Sequence, residues 1–289
     1  MQFDTTLSSG PSPSYRSGLE AGMEPYPGCR LRHLLGRGGF SEVWEALMPG
    51  GELRALKFIP CDDSRNASRE IRSIQIVRQL QHPNLVHIDA IWICQSYIVV
   101  AMELAEGSLA DLLSAYRSET GGPLDPETAG LLLGQVADAL DFLNARLHRL
   151  SGQSVAIQHC DIKPSNLLLF GATVKLSDFG LCSTQSGSLQ RHRRAGTTAY
   201  AAPEVFQGRL SDKTDQFALA VTYCELRGGR LPFPDVPASM SPTYVRPPAD
   251  LTMVSQSEKP ILLRALDSVP QNRWQSCSDF MTRLMAAVT

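Results

Sequence analysis

The spacing of apolar residues changes near residue 106, from the alternation typical of strands to the spacing typical of helices. The first part predicts five short strands, at residues 31–35, 41–47, 53–59, 86–92 and 97–103. One helical stretch lies among them, and its apolar face is formed by Ile71, Ile74, Val77 and Leu80. The pattern predicts an α+β fold with two lobes: a small antiparallel five-stranded sheet with one helix, followed by a larger, mainly helical lobe.

Residues 1–28 differ in composition from the rest of the chain. They are rich in Ser, Gly and Pro and show no periodicity, which is typical of a flexible leader or linker. We expect the folded domain to span residues 29–288, with the lobes meeting near residue 105. In the second lobe, Asp125-Pro126-Glu127-Thr128 predicts the start of a helix, with Asp125 as its N-cap.

The composition argues against several classes of function. The formal net charge is only −2, which does not favour binding to nucleic acid or to a membrane surface. The seven cysteines are scattered and none forms a Cys-x-x-Cys pair, so we expect reduced thiols and a cytoplasmic location. The most apolar stretch, residues 90–102, falls short of the roughly 20 residues of a membrane helix. We therefore expect no membrane segment in this chain.

A glycine-rich loop lies between the first two predicted strands. Gly36, Gly38 and Gly39 precede Phe40, and glycines let backbone N–H groups approach phosphate oxygens closely. No Gly-Lys-Ser/Thr follows, so the loop is not a P-loop. A flexible hairpin tip would explain the same glycines, and the loop alone does not decide between the two readings.

A lysine lies inside the third predicted strand. Lys57 is flanked by apolar residues, and burying its charge is costly unless the charge is paired. Glu70 lies on the inward face of the following helix, one turn before Ile74. An ion pair between Glu70 and Lys57 could aim the ammonium at the α- and β-phosphates of a nucleotide. The alternative is that Lys57 extends its ammonium to solvent at a strand edge.

Two loops of the second lobe bring together the groups that phosphoryl transfer requires. Asp161, Lys163 and Asn166 lie within six residues, and Asp178 opens an Asp-Phe-Gly sequence after a short predicted hairpin. Asp161 can accept a hydroxyl proton and Lys163 can neutralise developing charge. Asn166 and Asp178 supply the hard oxygen ligands that Mg²⁺ prefers. An isolated Asp-Phe-Gly could be an ordinary turn, but its combination with the first loop argues against that.

In this order and context the motifs resemble the eukaryotic-like (Hanks-type) serine/threonine protein kinase family, over nearly all of residues 29–287. The resemblance implies a bilobal protein-kinase fold that transfers the γ-phosphoryl group of ATP to a Ser or Thr hydroxyl of a protein, with autophosphorylation. It implies Mg²⁺ as cofactor, with Mn²⁺ as an alternative. The stretch 146–156 and an extra helical turn before His82 resemble bacterial members.

The resemblance also assigns residues that spacing alone does not reveal. Around the adenine it implies Val43, Ala55 and Leu168, with Met102 as gatekeeper and the backbone of Glu103 to Ala105 as hinge. Thr197 resembles the residue that contacts Asp161 and Lys163 and completes the acceptor site. Asp215 resembles the aspartate that braces the catalytic loop, and Glu204 and Arg273 resemble a buried ion pair. Ile74, Ile88, His159 and Phe179 resemble a stacked apolar spine.

Cys160 departs from the family pattern, because most members carry arginine there. That arginine binds a phosphate on the activation segment and orders it, and a neutral thiol cannot. We hypothesise that this chain does not depend on such a phosphate. The basic residues Arg191, His192, Arg193 and Arg194 could bind a phosphate or an acidic partner, although a solvated loop is the simpler interpretation.

Two other functions remain as alternatives. One is a pseudokinase that binds nucleotide or acts as a scaffold, although none of the groups needed for transfer is missing. The other is a small-molecule phosphotransferase, against which Lys163 and the segment 196–204 argue. The oligomeric state and the physiological substrate are not indicated by the sequence.

Overall fold

The structure, a computed structural model, describes residues 18–38, 41–61, 74, 78–150, 153–179, 183–184, 197–238 and 241–288. The described residues form two compact units. The first falls within Met1–Asp63 and Ala90–Leu104, and the second within Ser64–Asp89 and Ala105–Thr289. None of the described helices is long and apolar enough to cross a membrane.

The predicted five-stranded sheet is confirmed. Its strands are β1 (Arg30–Arg37), β2 (Glu42–Leu47), β3 (Leu53–Pro60), β4 (Ile88–Cys94) and β5 (Tyr97–Met102). They are arranged in the order β1-β2-β3-β5-β4, with antiparallel pairing of β1 with β2, β2 with β3 and β3 with β5. The fourth strand begins two residues later than the apolar run suggests.

One face of this sheet carries an apolar core. Its buried members alternate along the strands, as expected when successive side chains point to opposite faces, and include Trp44, Ala46, Leu56, Phe58, Tyr97, Val99 and Ala101. Part of the predicted leader packs here as well. Leu19 contacts the core, and Gly22 N and Met23 O bond to the backbone of Leu31 in β1. Residues 18–28 are therefore tied to the sheet, whereas residues 1–17 lie outside the described residues.

The second unit contains most of the helices. They are α1 (Leu109–Thr120), α2 (Pro126–Asn144), α3 (Pro203–Phe206), α4 (Thr214–Gly228), α5 (Lys259–Ala265) and α6 (Cys277–Val288). Short strands connect them, at β6 (Gly107–Ser108), β7 (His148–Leu150), β8 (Gln153–Val155), β9 (Ile157–Gln158), β10 (Leu167–Phe170), β11 (Thr173–Leu176) and β12 (Ser183–Thr184). The predicted start of α2 is confirmed, since Asp125 Oδ1 accepts from Thr128 N at 2.8 Å.

Two features of the second unit were not indicated by the sequence. Residues 78–89 group with the second unit rather than with the first lobe, because Asn84 and Val86 hydrogen-bond to β11 at Val174 and Leu176. The described residues between α4 and α5 contain no helix. Six prolines fall in residues 229–258, and proline interrupts the backbone hydrogen bonds of a helix.

Candidate active site

The predicted nucleotide residues of the first unit share one face of the sheet. Val43 pairs with Lys57 across β2 and β3, and Ala55 pairs with Met102 across β3 and β5. Directly paired residues point to the same side of a sheet, and this side is the one opposite the apolar core. The strand register therefore brings together Val43, Ala55, Lys57 and Met102.

The glycine-rich loop is described in part. Gly36 and Arg37 end β1, and Gly38 N donates to Ser41 O at 2.7 Å, which closes a tight turn. A Cβ on Gly38 would lie 3.2 Å from Ser41 Oγ, a close approach that favours glycine. Gly39, Phe40 and Glu70 lie outside the described residues, so the predicted Lys57–Glu70 pair stays a prediction.

The catalytic loop surrounds the Asp161 carboxylate with donors. Asp161 is 2% exposed, and Lys163 Nζ lies 3.1 Å from its Oδ1 and 3.0 Å from its Oδ2. Asn166 Nδ2 donates to Oδ2 at 2.8 Å. Pro164 begins the 3-10 turn Pro164–Asn166, which brings Asn166 back towards Asp161. Among the described residues, Oδ1 thus has a single donor and Oδ2 has two.

The predicted metal ligands lie at the same end of the β10–β11 hairpin. Leu167 pairs with Leu176, and Ser177 donates through both N and Oγ to Asn166 O at 2.9 Å, so Asp178 follows directly on a residue bonded to Asn166. The Asn166 amide nitrogen is occupied by Asp161 O and Oδ2, which leaves its side-chain oxygen to face a cation. An amide oxygen and a carboxylate are ligands suited to Mg²⁺, so the residues present fit such an ion.

Within the part of the chain that the structure describes, no larger acidic or thiol-rich cluster competes with this pair. Among the described residues, no group of three or more His, Cys, Asp and Glu side chains could hold a metal. Asp178 adopts φ 59°, in the left-handed region that is costly for a residue with a Cβ. Such strain is found most often where a side chain must be aimed at a ligand.

Asp215 hydrogen-bonds to the backbone of the catalytic loop, as the resemblance implied. Its Oδ2 accepts from His159 N at 2.7 Å and its Oδ1 from Cys160 N at 2.8 Å. Burial raises the pKa of this carboxyl, although both amide donors oppose the shift. The His159 ring also contacts Phe179 edge to face at 5.1 Å, which confirms that part of the predicted spine.

The His159 ring has a defined tautomer. Nε2 lies 2.8 Å from Ser177 O, a carbonyl that can only accept, so Nε2 carries the proton. Nδ1 then accepts from Asp161 N at 3.3 Å. The ring therefore links the amide of Asp161 to the carbonyl of Ser177, the residue before Asp178.

A buried ion pair between Glu204 and Arg273 fixes the end of the predicted activation segment. Arg273 Nη1 and Nη2 donate to the two Glu204 oxygens, each at 2.8 Å, as the resemblance implied. Thr214 Oγ1 adds a third bond at 3.0 Å. Thr197 lies in the turn Thr197–Ala199, but its side chain is outside what the structure describes, and its predicted contact with Asp161 stays a prediction.

The remaining predicted residues lie on three separate segments. Leu168 is half-buried on β10, where it pairs with Ser108 and Lys175. The stretch from Glu103 to Ala105 follows β5 and is half-buried. Cys160 adopts φ 65°, and its Sγ lies 3.7 Å from Gln158 O.

Two contacts made by residues 198–201 were not predicted. Tyr200 Oη donates to Glu225 Oε2 at 2.5 Å, and Arg246 donates to three backbone carbonyls of residues 198–201. Arg246 lies in the proline-rich stretch, where no periodicity or motif marks it. Its partners are 45 to 48 residues away, so only the tertiary structure identifies it.

The comparisons with known proteins agree with this geometry. Residues 29–287 match the family described as protein kinase domain. CBL-interacting protein kinase 4 of Oryza sativa is 34% identical over 84% of this chain and 54% of the relative. Serine/threonine-protein kinase PknF of Mycobacterium tuberculosis is 29% identical over 90% of this chain and 56% of the relative. The chain thus spans about half the length of these relatives.

A solved structure shares the fold. The crystal structure of the PknI kinase domain of Mycobacterium tuberculosis, in a mutant form, superposes with a TM-score of 0.68 and 23% sequence identity. The match covers 94% of this chain and 99% of the other. At this level of identity the likeness concerns the fold alone, and it agrees with the α+β architecture predicted from the sequence.

Proposed function

Because the chain belongs to the protein kinase family, we propose that it transfers the γ-phosphoryl group of Mg-ATP to Ser or Thr hydroxyls of a protein. The observation that carries this proposal is the arrangement around Asp161. A buried carboxylate with one ammonium and one amide donor is suited to phosphoryl transfer, which depends on positioning and charge more than on covalent help from the protein.

Asp161 Oδ1 is the atom we assign to the acceptor proton. Oδ2 accepts from both Lys163 and Asn166, so its lone pairs are occupied, whereas Oδ1 has the single described donor Lys163. A serine or threonine hydroxyl that donates to Oδ1 is oriented for attack on the γ-phosphorus as its proton moves to the carboxylate. Lys163 at 3.1 Å then offsets negative charge on the transferring group.

Asn166 and Asp178 are the residues we assign to the metal, through one amide oxygen and one carboxylate. These ligands would hold Mg²⁺, or Mn²⁺ in its place, and the ion would supply positive charge for the phosphate oxygens. Lys57 is assigned to the α- and β-phosphates and Gly36, Gly38 and Gly39 to the backbone cradle. Val43, Ala55, Met102 and Leu168, with the backbone of Glu103 to Ala105, are assigned to the adenine, and Thr197 to the acceptor.

The choice of Ser and Thr rests on Lys163 and Thr197, which resemble the corresponding residues of serine/threonine kinases. We propose a protein acceptor, a cytoplasmic location and no nucleic-acid partner, in line with the net charge of −2. Whether the chain also phosphorylates itself is part of the same proposal.

The proposal is tested by transfer of labelled γ-phosphate from Mg-ATP to a generic basic protein, with phosphoamino-acid analysis. We expect label on serine or threonine, and a loss of roughly 10²- to 10⁴-fold in Asp161→Asn, because the amide cannot accept the proton. Lys57→Met should also lose transfer. Asp212→Asn changes an exposed carboxylate and serves as the matched control, with unchanged transfer.

Each alternative predicts a different result. A wild type that binds Mg-ATP but labels no protein and no metabolite is a pseudokinase. Label on a small molecule alone indicates a small-molecule phosphotransferase. Equal transfer by wild type and Asp161→Asn would remove Asp161 from its assigned role even if the chain is a kinase.

A further inference from the structure

Arg246 places a partly buried guanidinium among three aromatic rings. Its Cζ lies 4.7 Å from the ring centre of Phe233 and 5.4 Å from those of Phe206 and Phe217. The rings come from α3, from α4 and from the stretch after α4, so three separate segments form the cage. Aromatic faces attract a cation at such distances.

The donors of this guanidinium converge on one short segment. Nε donates to Ala201 O at 2.9 Å. Nη2 donates to Thr198 O at 2.7 Å, to Ala199 O at 3.1 Å and to Ala201 O at 2.6 Å. Burial lowers the pKa of the guanidinium to about 10, so the group is still a cation at neutral pH and these bonds are charge-assisted.

The guanidinium also has a cost at this position. Nη1 is buried and has no hydrogen-bond partner among the described residues, and a buried donor without a partner costs free energy. An apolar side chain of similar length would fill an aromatic cage at least as well. The guanidinium adds what an apolar side chain cannot, namely a fixed set of donors to the carbonyls of residues 198–201.

The segment that Arg246 holds lies against the catalytic loop. Tyr200, Ala201 and Ala202 line a small cavity together with Cys160 and Asp161. Thr197, which we assign to the acceptor, immediately precedes the first carbonyl that Arg246 binds. A displacement of residues 198–201 would therefore change the position of the acceptor relative to the Asp161 carboxylate.

We propose that Arg246 is a positioning residue for the protein acceptor, which it serves by clamping residues 198–201 against the catalytic loop. This inference rests on the proposed kinase function. The clamp comes from the chain that follows the activation segment and needs no phosphate. It therefore provides an ordering contact that does not depend on the arginine missing at position 160.

The test compares Arg246→Met and Arg246→Lys with the wild type. Methionine suits the aromatic cage but removes all the donors, and lysine keeps the charge and part of the donor set. Arg227→Met is the matched control, because Arg227 is also largely buried but donates to Glu258 and to Leu124 O. Melting temperatures measured for every variant show whether each one folds.

For Arg246→Met we expect kcat/KM for the protein acceptor to fall roughly ten- to hundredfold, with the KM for ATP unchanged within about twofold. Arg246→Lys should recover part of the loss. Backbone amides of residues 198–206 should exchange hydrogen faster in Arg246→Met, and not in Arg227→Met. The proposal is overturned if Arg246→Met phosphorylates the acceptor like the wild type. It is also overturned if ATP and acceptor kinetics decline together, as in a merely destabilised protein.

Failure of the proposed function gives a different pattern. If the wild type transfers phosphate to no protein, the kinase assignment and the acceptor role of Arg246 both fail. The exchange rates of residues 198–206 still decide whether Arg246 orders the segment, because that measurement requires no catalysis. If these amides exchange at the wild-type rate in Arg246→Met, Arg246 does not order the segment.

Discussion

Cys160 adopts a left-handed backbone conformation, with φ 65°, that costs on the order of 1 kcal/mol or more for a residue with a Cβ. Asp215 stabilises this conformation by accepting a hydrogen bond from Cys160 N. The sequence indicated that a thiol here cannot bind a phosphate, since that is a property of the side chain alone. It could not indicate the backbone conformation, because the residue that imposes it is 55 positions away.

We predict that Cys160→Arg introduces a dependence on phosphorylation. The wild type should retain its transfer activity after treatment with a phosphatase, because its thiol makes no contact with a phosphate. The variant should lose activity about tenfold on the same treatment, since its guanidinium is paired only when a phosphate is present. The measurement is the transfer rate of the wild type and of the variant before and after phosphatase treatment.

Cys160→Ser is the control, as it keeps a small neutral side chain and should behave like the wild type. If Cys160→Arg is equally active in both states, the residue at this position does not determine the response to phosphorylation. If the wild type itself loses activity after the phosphatase, the hypothesis drawn from Cys160 is wrong.

Helix α2 and helix α6 differ in how their first turns are satisfied. The first turn of α2 is capped by its own Asp125, and this local motif made the helix start predictable. In α6, the amides of Cys277 and Ser278 donate to Asp141 of α2, at 2.8 and 2.9 Å. Helix α6 has a local cap as well, since Ser276 Oγ accepts from Asp279 N at 2.9 Å. The bonds to Asp141 could not be predicted from the sequence, because that carboxylate belongs to another helix.

We predict that Asp141→Ala lowers the free energy of unfolding by about 2 kcal/mol, since two hydrogen bonds to a charged group are lost at the start of α6. Chemical denaturation measures this value. Asp138→Ala is the matched control one turn earlier on α2, where a single bond joins Asp138 to the Ser278 hydroxyl. Equal losses in the two variants would mean that Asp141 does not cap α6 in solution.

Over the whole molecule, the sequence predicted the sheet, the helical unit and the order of the catalytic motifs, because local periodicity and family motifs encode them. The grouping of residues 78–89 with the second unit depends on hydrogen bonds to β11, about 90 residues further along. The Arg246 cage likewise assembles from three distant segments. Such long-range pairings leave no periodic pattern, so they were found only in the structure.

The free energy of unfolding of the whole molecule depends on pH, and Glu258 contributes to this dependence. This carboxylate is buried and accepts from Tyr223 Oη at 2.7 Å and Ser255 N at 2.8 Å. Burial raises its pKa, but these hydrogen bonds and the charge of Arg227 together lower it below the usual 4.5. The folded chain thus binds this proton less tightly than the unfolded chain, so the stabilisation is present above about pH 4.5 and is lost as the pH falls through the folded value.

We predict that the free energy of unfolding falls more steeply between about pH 6 and pH 3 in the wild type than in Glu258→Gln. The variant has no titrating group there and should be less stable at pH 6. Glu119→Gln, at an exposed position, should follow the wild-type profile. Parallel profiles for the wild type and Glu258→Gln would exclude Glu258 as a source of acid sensitivity.

The packing of α6 on α2 has a consequence for synthesis on the ribosome. Met285 of α6 lies so close to Gly130 of α2 that a Cβ on the glycine would clash with its sulfur, and Cys277 follows Asp141 by 136 residues. At about 5–20 residues per second, α2 emerges roughly 7 to 27 s before its partner is made. For that interval the surface of α2 that α6 covers has no partner in a nascent chain, and we expect chaperones that bind nascent chains to recognise it.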